Sequence, residues 1–520
     1  MRLSLLVAGW GTILAAAGPL LAAGYSHAGG GDEIISEATA QRYGLTRVWV
    51  TQAQVNPARG RLQSVVLYDG TLFTQSSRAT LEAIDAETGQ KLWSKLVGQP
   101  SYPTLQPGAC HDLVATINGA RLFVLNRYTG DILFETDIDG APGGGPALST
   151  KRAYVPTVSG LILSYRLEPI TNAAQELGKH DPHDIEMTDE EKAEAKKKIE
   201  EERRENIRIR QDYIPPLACA SAGRALVPPL VIKQTADEEF VTWVTDRGYL
   251  HLGRVDRRSE DMLQMKDRFH AEGAFSNPPT FLLPDPKQRG DGGIIFAGSD
   301  DGHVYALSGR DLEKKWKEFD TRDPVIDSPV LIEDRLYVTT ELGGMFAIDA
   351  NSGKEIWWAA EIMHFVAAGR QRIYAADKLG RLRILDARTG STLDIIPTGS
   401  LPIKISNDQT DRIYLGTEDG LLQCLREVEE SKPIVYNQSR IPPPEEIKPE
   451  KTPTVPKPKG GDAGAPKTPH PPAKKPPAKA KDDTGFGDDA APPAKPPKGK
   501  APPKGKAKAK DADAGGGNPF

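Results

Sequence analysis

Cysteine is scarce in this chain, and no two cysteines lie near each other. The 520 residues contain three, Cys110, Cys219 and Cys424. Their spacing excludes a CxxC motif, a disulfide between adjacent cysteines and a Cys/His cluster of the kind that holds zinc. Three is an odd number, so at least one thiol stays unpaired within a monomer. We interpret all three as small buried apolar side chains.

Acidic residues outnumber basic ones outside the end of the chain. The formal net charge is −5, but residues 451–520 contain 15 Lys and seven Asp, so they carry +8 and leave −13 for the remainder. An acidic body argues against nucleic-acid binding, and we expect no specific nucleic-acid partner. The sequence also lacks a nucleophile motif, metal-ligand spacing and a phosphate-binding loop.

The chain starts with MRLSLLVAGWGTILAAAGPLLAAG, which has one early Arg, an apolar run and then small residues. This pattern predicts a signal peptide over 1–28 and an exported protein of the periplasm or cell envelope. An uncleaved N-terminal anchor is the alternative, because 3–21 is nearly long enough to span a bilayer. No cysteine lies near the cleavage region to accept a bacterial lipoprotein anchor.

The sequence does contain a repeat. LEAIDAETGQKLW (81–93) returns as LFVLNRYTGDILF (122–134) and MFAIDANSGKEIW (345–357). Alignment on the acid gives successive intervals of 41, 40, 87, 55, 41, 37 and 40 residues. About 40 residues is the length of a four-stranded, WD-like propeller blade. The aligned positions are Asp85, Asn126, Arg166, Gly253, Ser308, Asp349, Asp386 and Arg426.

Each unit contains short runs of β-branched and aromatic residues between Gly, Asp and Asn turns, which is typical of strands and hairpins. Asp85 is expected to fix its turn by accepting backbone N–H groups, and Gly89 to supply a positive φ. Trp93 then falls on the fourth, outermost strand, where its ring can fill the space between diverging sheets. We interpret these residues, and their counterparts in other units, as structural.

The repeat predicts an all-β fold, an eight-bladed β-propeller of four-stranded blades over 45–440. A closed ring avoids exposed sheet edges between blades. The last unit lacks a Trp-bearing fourth strand, and LTRVWVTQ (45–52) can supply one with Trp49 in the equivalent position. We therefore predict that this strand completes the last blade beside GLLQCLR (420–426), with PIVYNQ (433–438) as the competing segment.

The pattern A-x-D-x-x-T-G-x-x-x-W resembles the tryptophan-docking motif of PQQ-like repeats, which build eight-bladed quinoprotein-like propellers. It is fullest in the units of Asp85 and Asp349, partial in those of Asn126 and Asp386, and weaker around Trp316. The resemblance covers roughly three-quarters of the chain and is specific for architecture rather than function. The docking residues that it implies are Ala83, Asp85, Gly89, Trp93, Asn126, Gly130, Trp316, Asp349, Gly353, Trp357, Asp386 and Gly390.

Two segments depart from the repeat. In the insertion 180–211, a capping box at Thr188 and Glu191 opens a run of strong helix formers over 189–210, which predicts one inserted, charged α-helix. Its few apolar positions favour a solvated arm, and a docking arm for a protein partner is the alternative. Residues 441–520 are rich in Pro, Lys and Ala, which predicts a disordered tail that could bind anionic lipid or cell-wall polymer.

Two functions follow from the resemblance. Quinoprotein dehydrogenases hold PQQ and calcium on this fold, usually with an adjacent-cysteine disulfide and acidic calcium ligands. This sequence has no such cysteine pair, and its candidate acids, Asp246, Asp300, Asp301 and Asp419, stand beside Gly in hairpin turns. The propeller subunit of the outer-membrane β-barrel assembly machine is a non-enzymatic relative, although this chain lacks its lipid-bearing Cys.

We therefore expect a non-catalytic, exported scaffold without cofactor or metal. It would bind envelope proteins through its propeller loops and the 180–211 helix. The alternative is a PQQ-dependent oxidoreductase or a carbohydrate-binding propeller, with PQQ and calcium as cofactors in the first case.

Overall fold

The computed structural model describes residues 34–56, 58–167, 215–234, 238–256, 262–284 and 292–436. Within these ranges the chain forms one short helix, α1 (Glu37–Arg42), and 32 strands in eight antiparallel sheets of four strands each. The first strands of several neighbouring sheets lie against one another, as the strand Gly108–Cys110 does against Ala147–Leu148 and Ala147–Leu148 against Leu230–Gln234. Each sheet is therefore a blade with its first strand innermost, and the predicted eight-bladed propeller is confirmed.

The strands follow one another in sequence order through blades 1 to 7. Blades 1 and 2 are β2 (Leu62–Tyr68), β3 (Thr71–Ser76), β4 (Thr80–Asp85), β5 (Lys91–Leu96), and β6 (Gly108–Cys110), β7 (Leu113–Asn118), β8 (Arg121–Asn126), β9 (Ile132–Asp137). Blades 3 and 4 are β10 (Ala147–Leu148), β11 (Arg152–Pro156), β12 (Leu161–Arg166), β13 (Leu217–Ala220), and β14 (Leu230–Gln234), β15 (Glu238–Val244), β16 (Tyr249–Asp256), β17 (Leu263–His270).

The remaining blades repeat this pattern until the last one. Blades 5 and 6 are β18 (Thr280–Leu282), β19 (Ile294–Gly298), β20 (His303–Ser308), β21 (Phe319–Asp320), and β22 (Val330–Ile332), β23 (Arg335–Thr339), β24 (Gly344–Asp349), β25 (Glu355–Ala360). Blade 7 is β26 (Ile362–Ala368), β27 (Arg372–Asp377), β28 (Leu382–Asp386), β29 (Thr392–Ile396), and blade 8 is β30 (Ile403–Lys404), β31 (Ile413–Gly416), β32 (Leu421–Glu427) with β1 (Leu45–Gln52).

Burial differs between the middle and the outermost strands. Every residue of β3 and of β7 is buried, whereas every residue of the outermost strand β5 is at least partly exposed. A strand covered on both faces by neighbouring blades buries consecutive side chains rather than alternate ones. This explains why the second strand of a unit is almost continuously apolar or small.

Blade 8 is closed by the N-terminal strand. β1 pairs antiparallel with β32, and Trp49 lies opposite Cys424. The competing segment takes another place: Val435 forms an isolated bridge with Thr410, and Tyr436 packs in the core between blades 6 and 7. Blade 8 therefore joins the two ends of the propeller sequence through a ladder of backbone hydrogen bonds.

One unit boundary differs from the sequence alignment. Gly253 lies inside β16, and the strand ends three residues later at Asp256, which lies opposite Glu238 just as Asp85 lies opposite Thr71. Gly253 is required for packing, because a Cβ there would lie 2.7 Å from the Trp243 ring. Blade 4 has no acid-to-glycine turn motif, so the alignment had no correct position to match.

Three of the predicted segments lie outside the described residues: the signal peptide 1–28, the helix 180–211 and the tail 441–520. The 168–214 gap falls between β12 and β13, so the helix-forming sequence is an insertion within blade 3 rather than between two blades. In the described ranges, no helix has the length and apolar character needed to cross a membrane.

The loops divide between two faces of the propeller. We call "upper" the face with the loops that join second to third strands and each blade to the next. The opposite, "lower" face carries the first-to-second and third-to-fourth loops, including the Asp85–Gly89 turn and its counterparts. Tyr436, the last described residue, lies on the lower face, where its N–H donates to the carbonyl of Gln409 at 2.7 Å.

The ring closure generates a stability prediction. Trp49 is buried and its indole N–H donates to the Ala86 carbonyl of blade 1 at 2.9 Å. We expect Trp49→Ala to lower the free energy of unfolding by about 3–5 kcal/mol, as for other buried aromatic truncations. Val48→Ala, on the same strand but exposed, should change it by less than about 1 kcal/mol. Chemical denaturation measures both, and equal effects would contradict the proposed role of β1.

Candidate functional site

The predicted tryptophans lie at the joints between blades. The indole N–H of each ring donates to a backbone carbonyl in the next blade around the ring. The pairs are Trp49 to Ala86 at 2.9 Å, Trp93 to Arg127 at 2.7 Å, Trp316 to Ala350 at 3.1 Å and Trp357 to Ala387 at 3.0 Å. Each accepting residue directly follows the acid or amide that begins the turn.

A glycine lies against each of these rings. Gly89 contacts Trp49, Gly130 contacts Trp93, Gly353 contacts Trp316 and Gly390 contacts Trp357. The four glycines have φ between +69° and +71°, and a Cβ on any of them would approach ring carbon within 2.5–2.6 Å. Two independent constraints therefore select glycine: a left-handed backbone and the ring of the preceding blade.

The acidic and amide residues hold the turns from inside. Asp85 Oδ1 accepts the Thr88 N–H and hydroxyl, both at 2.7 Å. Hydrogen bonds from the Ser352 hydroxyl to Asp349 and from the Thr389 hydroxyl to Asp386 lower the pKa of both carboxyl groups. Asn126 accepts the N–H groups of Tyr128 and Thr129. These are Asx turns that present the next carbonyl to the incoming indole.

A β-bulge precedes the tryptophan on the outermost strand. In blade 1, Ala83 lies opposite Trp93 but Ile84 lies opposite Lys91, so Leu92 is the extra residue. The same shift occurs in blade 6, where Ala347 lies opposite Trp357 and Ile356 is the extra residue. A bulge redirects the following side chain, and alanine, the smallest chiral residue, leaves room beside the ring. The motif residues thus form a joint between blades.

Two glycines with the same φ show the effect of the backbone conformation apart from the effect of the contact with a tryptophan ring. Gly70 and Gly89 both have φ +71°, but a Cβ at Gly70 would have no neighbour within 4 Å, whereas at Gly89 it would lie 2.6 Å from Trp49. We expect Gly70→Ala to cost about 1–2 kcal/mol through the backbone alone. Gly89→Ala should cost about 1–3 kcal/mol more through overpacking. Equal losses in urea denaturation would contradict the contact with Trp49.

The cavity among the first strands of blades 1 to 4 provides one test of whether PQQ fits this propeller. It measures about 300 Å³ and is lined by five prolines and small apolar residues. Its polar side chains are Tyr68, Gln106, Cys110 and Gln234. Burial raises the pKa of the Cys110 thiol to about 12, so that group is neutral. PQQ is a tricarboxylate, and a cavity without a charged side chain does not fit it.

The candidate acids of the hairpin turns also serve local structure. Asp246 accepts the N–H and the guanidinium of Arg224 at 2.8 and 2.7 Å. Burial acts to raise the pKa of Asp301, but hydrogen bonds from Tyr305 and the Gly273 N–H outweigh it and the pKa is lowered. Within the described ranges, no three His, Cys, Asp or Glu side chains converge as metal ligands.

Among the described residues, the large apolar side chains with the highest exposed fractions lie on the upper face. Leu342 and Leu379 stand at the tips of the second-to-third-strand hairpins of blades 6 and 7, and 67% and 69% of their surfaces are exposed. A cleft of about 600 Å³ adjoins these hairpins. We call this feature, the two leucines with the cleft, the leucine cleft. Its lining residues are Glu341, Met363, His364, Ala376, Asp377, Lys378, Gly380, Pro402 and Lys404.

The floor of the leucine cleft is held by polar contacts across three blades. His364 contacts the Asp327 carboxylate at 2.5 Å through Nδ1 and the Lys404 carbonyl at 3.0 Å through Nε2. The Lys404 ammonium donates to the Leu401 carbonyl at 2.6 Å, and burial lowers its pKa. Asp377 is paired with Arg381 at 2.7 Å. A fixed, charged floor beside exposed leucines suits recognition of a protein surface.

Sequence analysis did not single out the leucine cleft. The signal that could have found it is an apolar residue at the tip of an otherwise polar turn, as in ELGG (341–344) and DKLGR (377–381). His364 gave no signal, because its partners Asp327 and Lys404 are 37 and 40 residues away in sequence.

Comparisons with known proteins agree with the repeat. The sequence matches the family model described as outer membrane protein assembly factor BamB over residues 46–163, 280–357 and 322–393. These matches include the docking tryptophans at positions 49, 93, 316 and 357 and leave out blade 4, which has no docking motif. No protein in a comparison with curated sequences matches the chain.

Several solved structures are similar in fold at low sequence identity. BamB from Moraxella catarrhalis is 12% identical, with 74% of this chain and 99% of that chain covered and a TM-score of 0.49. The computationally designed Ika8 protein is 11% identical, with 72% and 98% covered and a TM-score of 0.49. Sqt1 from Saccharomyces cerevisiae is 8% identical, with 73% and 97% covered and a TM-score of 0.48.

Proposed function

Since the chain is an eight-bladed propeller of PQQ-like repeats, similar to the family of the outer membrane protein assembly factor BamB, we propose that it is a non-catalytic interaction scaffold of the cell envelope. It holds protein partners through loops carried on a rigid ring. The residues that the repeat shares with that family support this reading, because they serve the joints between blades and leave the loops free to vary.

The leucine cleft is the observation that carries the proposal. Two exposed leucines at adjacent hairpin tips provide an apolar contact, and the cleft beside them holds Asp377 and His364 paired with Arg381 and Asp327, respectively. Leucines are rarely placed at such tips in a loop that serves only as a turn. We assign the leucine cleft as the docking site for an envelope protein.

The lower face leaves room for further contacts. The chain leaves blade 3 at Leu167 and returns at residue 215, at the third-to-fourth-strand loop of the lower face. Both attachment points of this insertion therefore lie on the lower face, and its helix-forming sequence 180–211 is proposed as a second protein contact. The basic tail 441–520 is proposed to bind anionic lipid or cell-wall polymer, and the N-terminal sequence to direct export.

The proposal predicts the effect of charge at the leucine cleft. We expect the double variant Leu342→Asp/Leu379→Asp to retain about a tenth or less of the envelope protein that the wild type captures, because two apolar contacts are each replaced by a charge. Leu92→Asp, at an exposed leucine of blade 1, is the matched control and should retain capture. Quantitative mass spectrometry of pull-downs from an envelope extract measures the difference.

Two results would contradict the scaffold. The first is the same set of partners, in the same amounts, for the wild type and the double variant. The second is enzymatic: if the purified protein, supplied with PQQ and calcium, bound the chromophore and oxidised an alcohol or an aldose with a dye as acceptor, the oxidoreductase alternative would replace it. Retention by an immobilised polysaccharide would favour the carbohydrate-binding alternative.

A further inference from the structure

The outermost strand of each blade presents an open edge that could pair with another chain. Charged side chains on most of these strands oppose pairing with another chain. β5 contains Lys91 and Lys95, β9 contains Glu135 and Asp137, β17 contains Lys266, Asp267 and Arg268, β29 contains Asp394 and β1 contains Arg47. Two more outermost strands are short: β13 has four residues and β21 has two. Charge and shortness are the usual devices against edge-to-edge association.

β25 of blade 6 lacks both devices. After Glu355 at its start, the strand reads Ile356, Trp357, Trp358, Ala359 and Ala360, with no charge. Trp357 is buried against blade 7, but 52% of the Trp358 surface is exposed, and the bulge residue Ile356 is exposed too. Among the outermost strands that the structure describes, β25 is the one with six residues and an uncharged interior.

The blade before it explains why Trp358 is uncovered. β21, the outermost strand of blade 5, has only two residues, Phe319 and Asp320. The Trp358 ring lies beside Phe346 with centroids 6.4 Å apart, and Phe346 meets Phe319 edge-on at 5.4 Å. The aromatic row therefore ends in an indole that is 52% exposed. Exposed apolar surface of this kind marks an interaction site.

We propose that β25 binds β25 of a second copy of this chain, antiparallel and around a two-fold axis. With Trp357 opposite Trp357 of the second copy, Ile356 lies opposite Trp358 twice, and Glu355 lies opposite Ala359. Aromatic and β-branched residues are favourable cross-strand pairs. The two sheets then form one continuous sheet of eight strands through an isologous interface.

Charge selects both the strand and the register. Shifting the axis to Trp358 places Glu355 opposite Glu361, and like charges directly opposite each other destabilise a strand pair. On β29 the same arrangement would bring two copies of Asp394 together, and on β5 it would bring lysines together. The bulge at Ile356 interrupts the regular edge of β25, so we expect a weak, concentration-dependent dimer rather than an obligate one.

Sedimentation velocity of the full-length chain over a wide concentration range tests this inference. We expect a monomer–dimer equilibrium whose dissociation constant rises at least about 10-fold in Trp358→Lys, because two charges enter the centre of the interface. Leu393→Lys is the matched control: Leu393 is 55% exposed and is the bulge residue of β29. Its dissociation constant should equal that of the wild type. Circular dichroism and thermal unfolding of each variant establish that it is folded.

Three results of this experiment would overturn the proposed dimer. A folded wild type that stays monomeric at every concentration would overturn the proposal, and so would a dimer that Trp358→Lys leaves unchanged or that Leu393→Lys weakens equally. The inference does not depend on the leucine cleft, because Leu342 and Leu379 are left unchanged in all three proteins. Its failure and that of the scaffold proposal can therefore be told apart.

Discussion

The joint between neighbouring blades is the contact on which the rest of this structure depends. A tryptophan ring from one blade lies on a glycine of the next and donates its N–H to the carbonyl presented by an Asx turn. Such a joint combines burial of a large ring with a satisfied polar group, and it fixes the angle between two sheets that diverge outward. In blade 2, which has no tryptophan, Phe134 takes the equivalent position opposite Val124 and packs against Tyr165 of blade 3.

Because these joints close the ring, the residues that stabilise the propeller differ from the residues that we propose bind partners. Strand pairing and the docked rings of the outermost strands hold the wheel together, so the hairpin tips of the upper face need not. The leucine cleft uses hairpin tips of two blades and includes no docked indole. β25 does carry a docked indole, Trp357, but that ring packs against blade 7, and the neighbouring Trp358 is the exposed ring. A scaffold built this way can change its partners by altering loops while its core stays the same. This separation is the physical basis for the proposal that the chain is a binding scaffold.

The fold could be predicted from the sequence because the same turn recurs at a regular interval. The Asp or Asn, the Gly and the Trp of that turn lie close together in sequence, so the turn is recognisable from one short segment. The sequence also led to β1 as the closing strand, since Trp49 was the one docking residue without a unit of its own. It did not reveal that Gly130 lies under Trp93, because ring and glycine come from successive units, nor the bulge at Leu92, which depends on cross-strand register. The leucine cleft and the open edge of β25 depend on what neighbouring blades leave uncovered, and no single segment encodes that.

Hydrogen exchange at the indole N–H groups tests the closed wheel most directly. Trp49, at the seam, and Trp93, Trp316 and Trp357, at joints within the chain, all donate to carbonyls of the next blade. If the ring opens only as a unit, their protons exchange with one common free energy, that of global unfolding, while the exposed Trp358 exchanges at once. Exchange of the Trp49 proton at a clearly lower free energy than the other three would show that the seam opens alone, and would contradict the account.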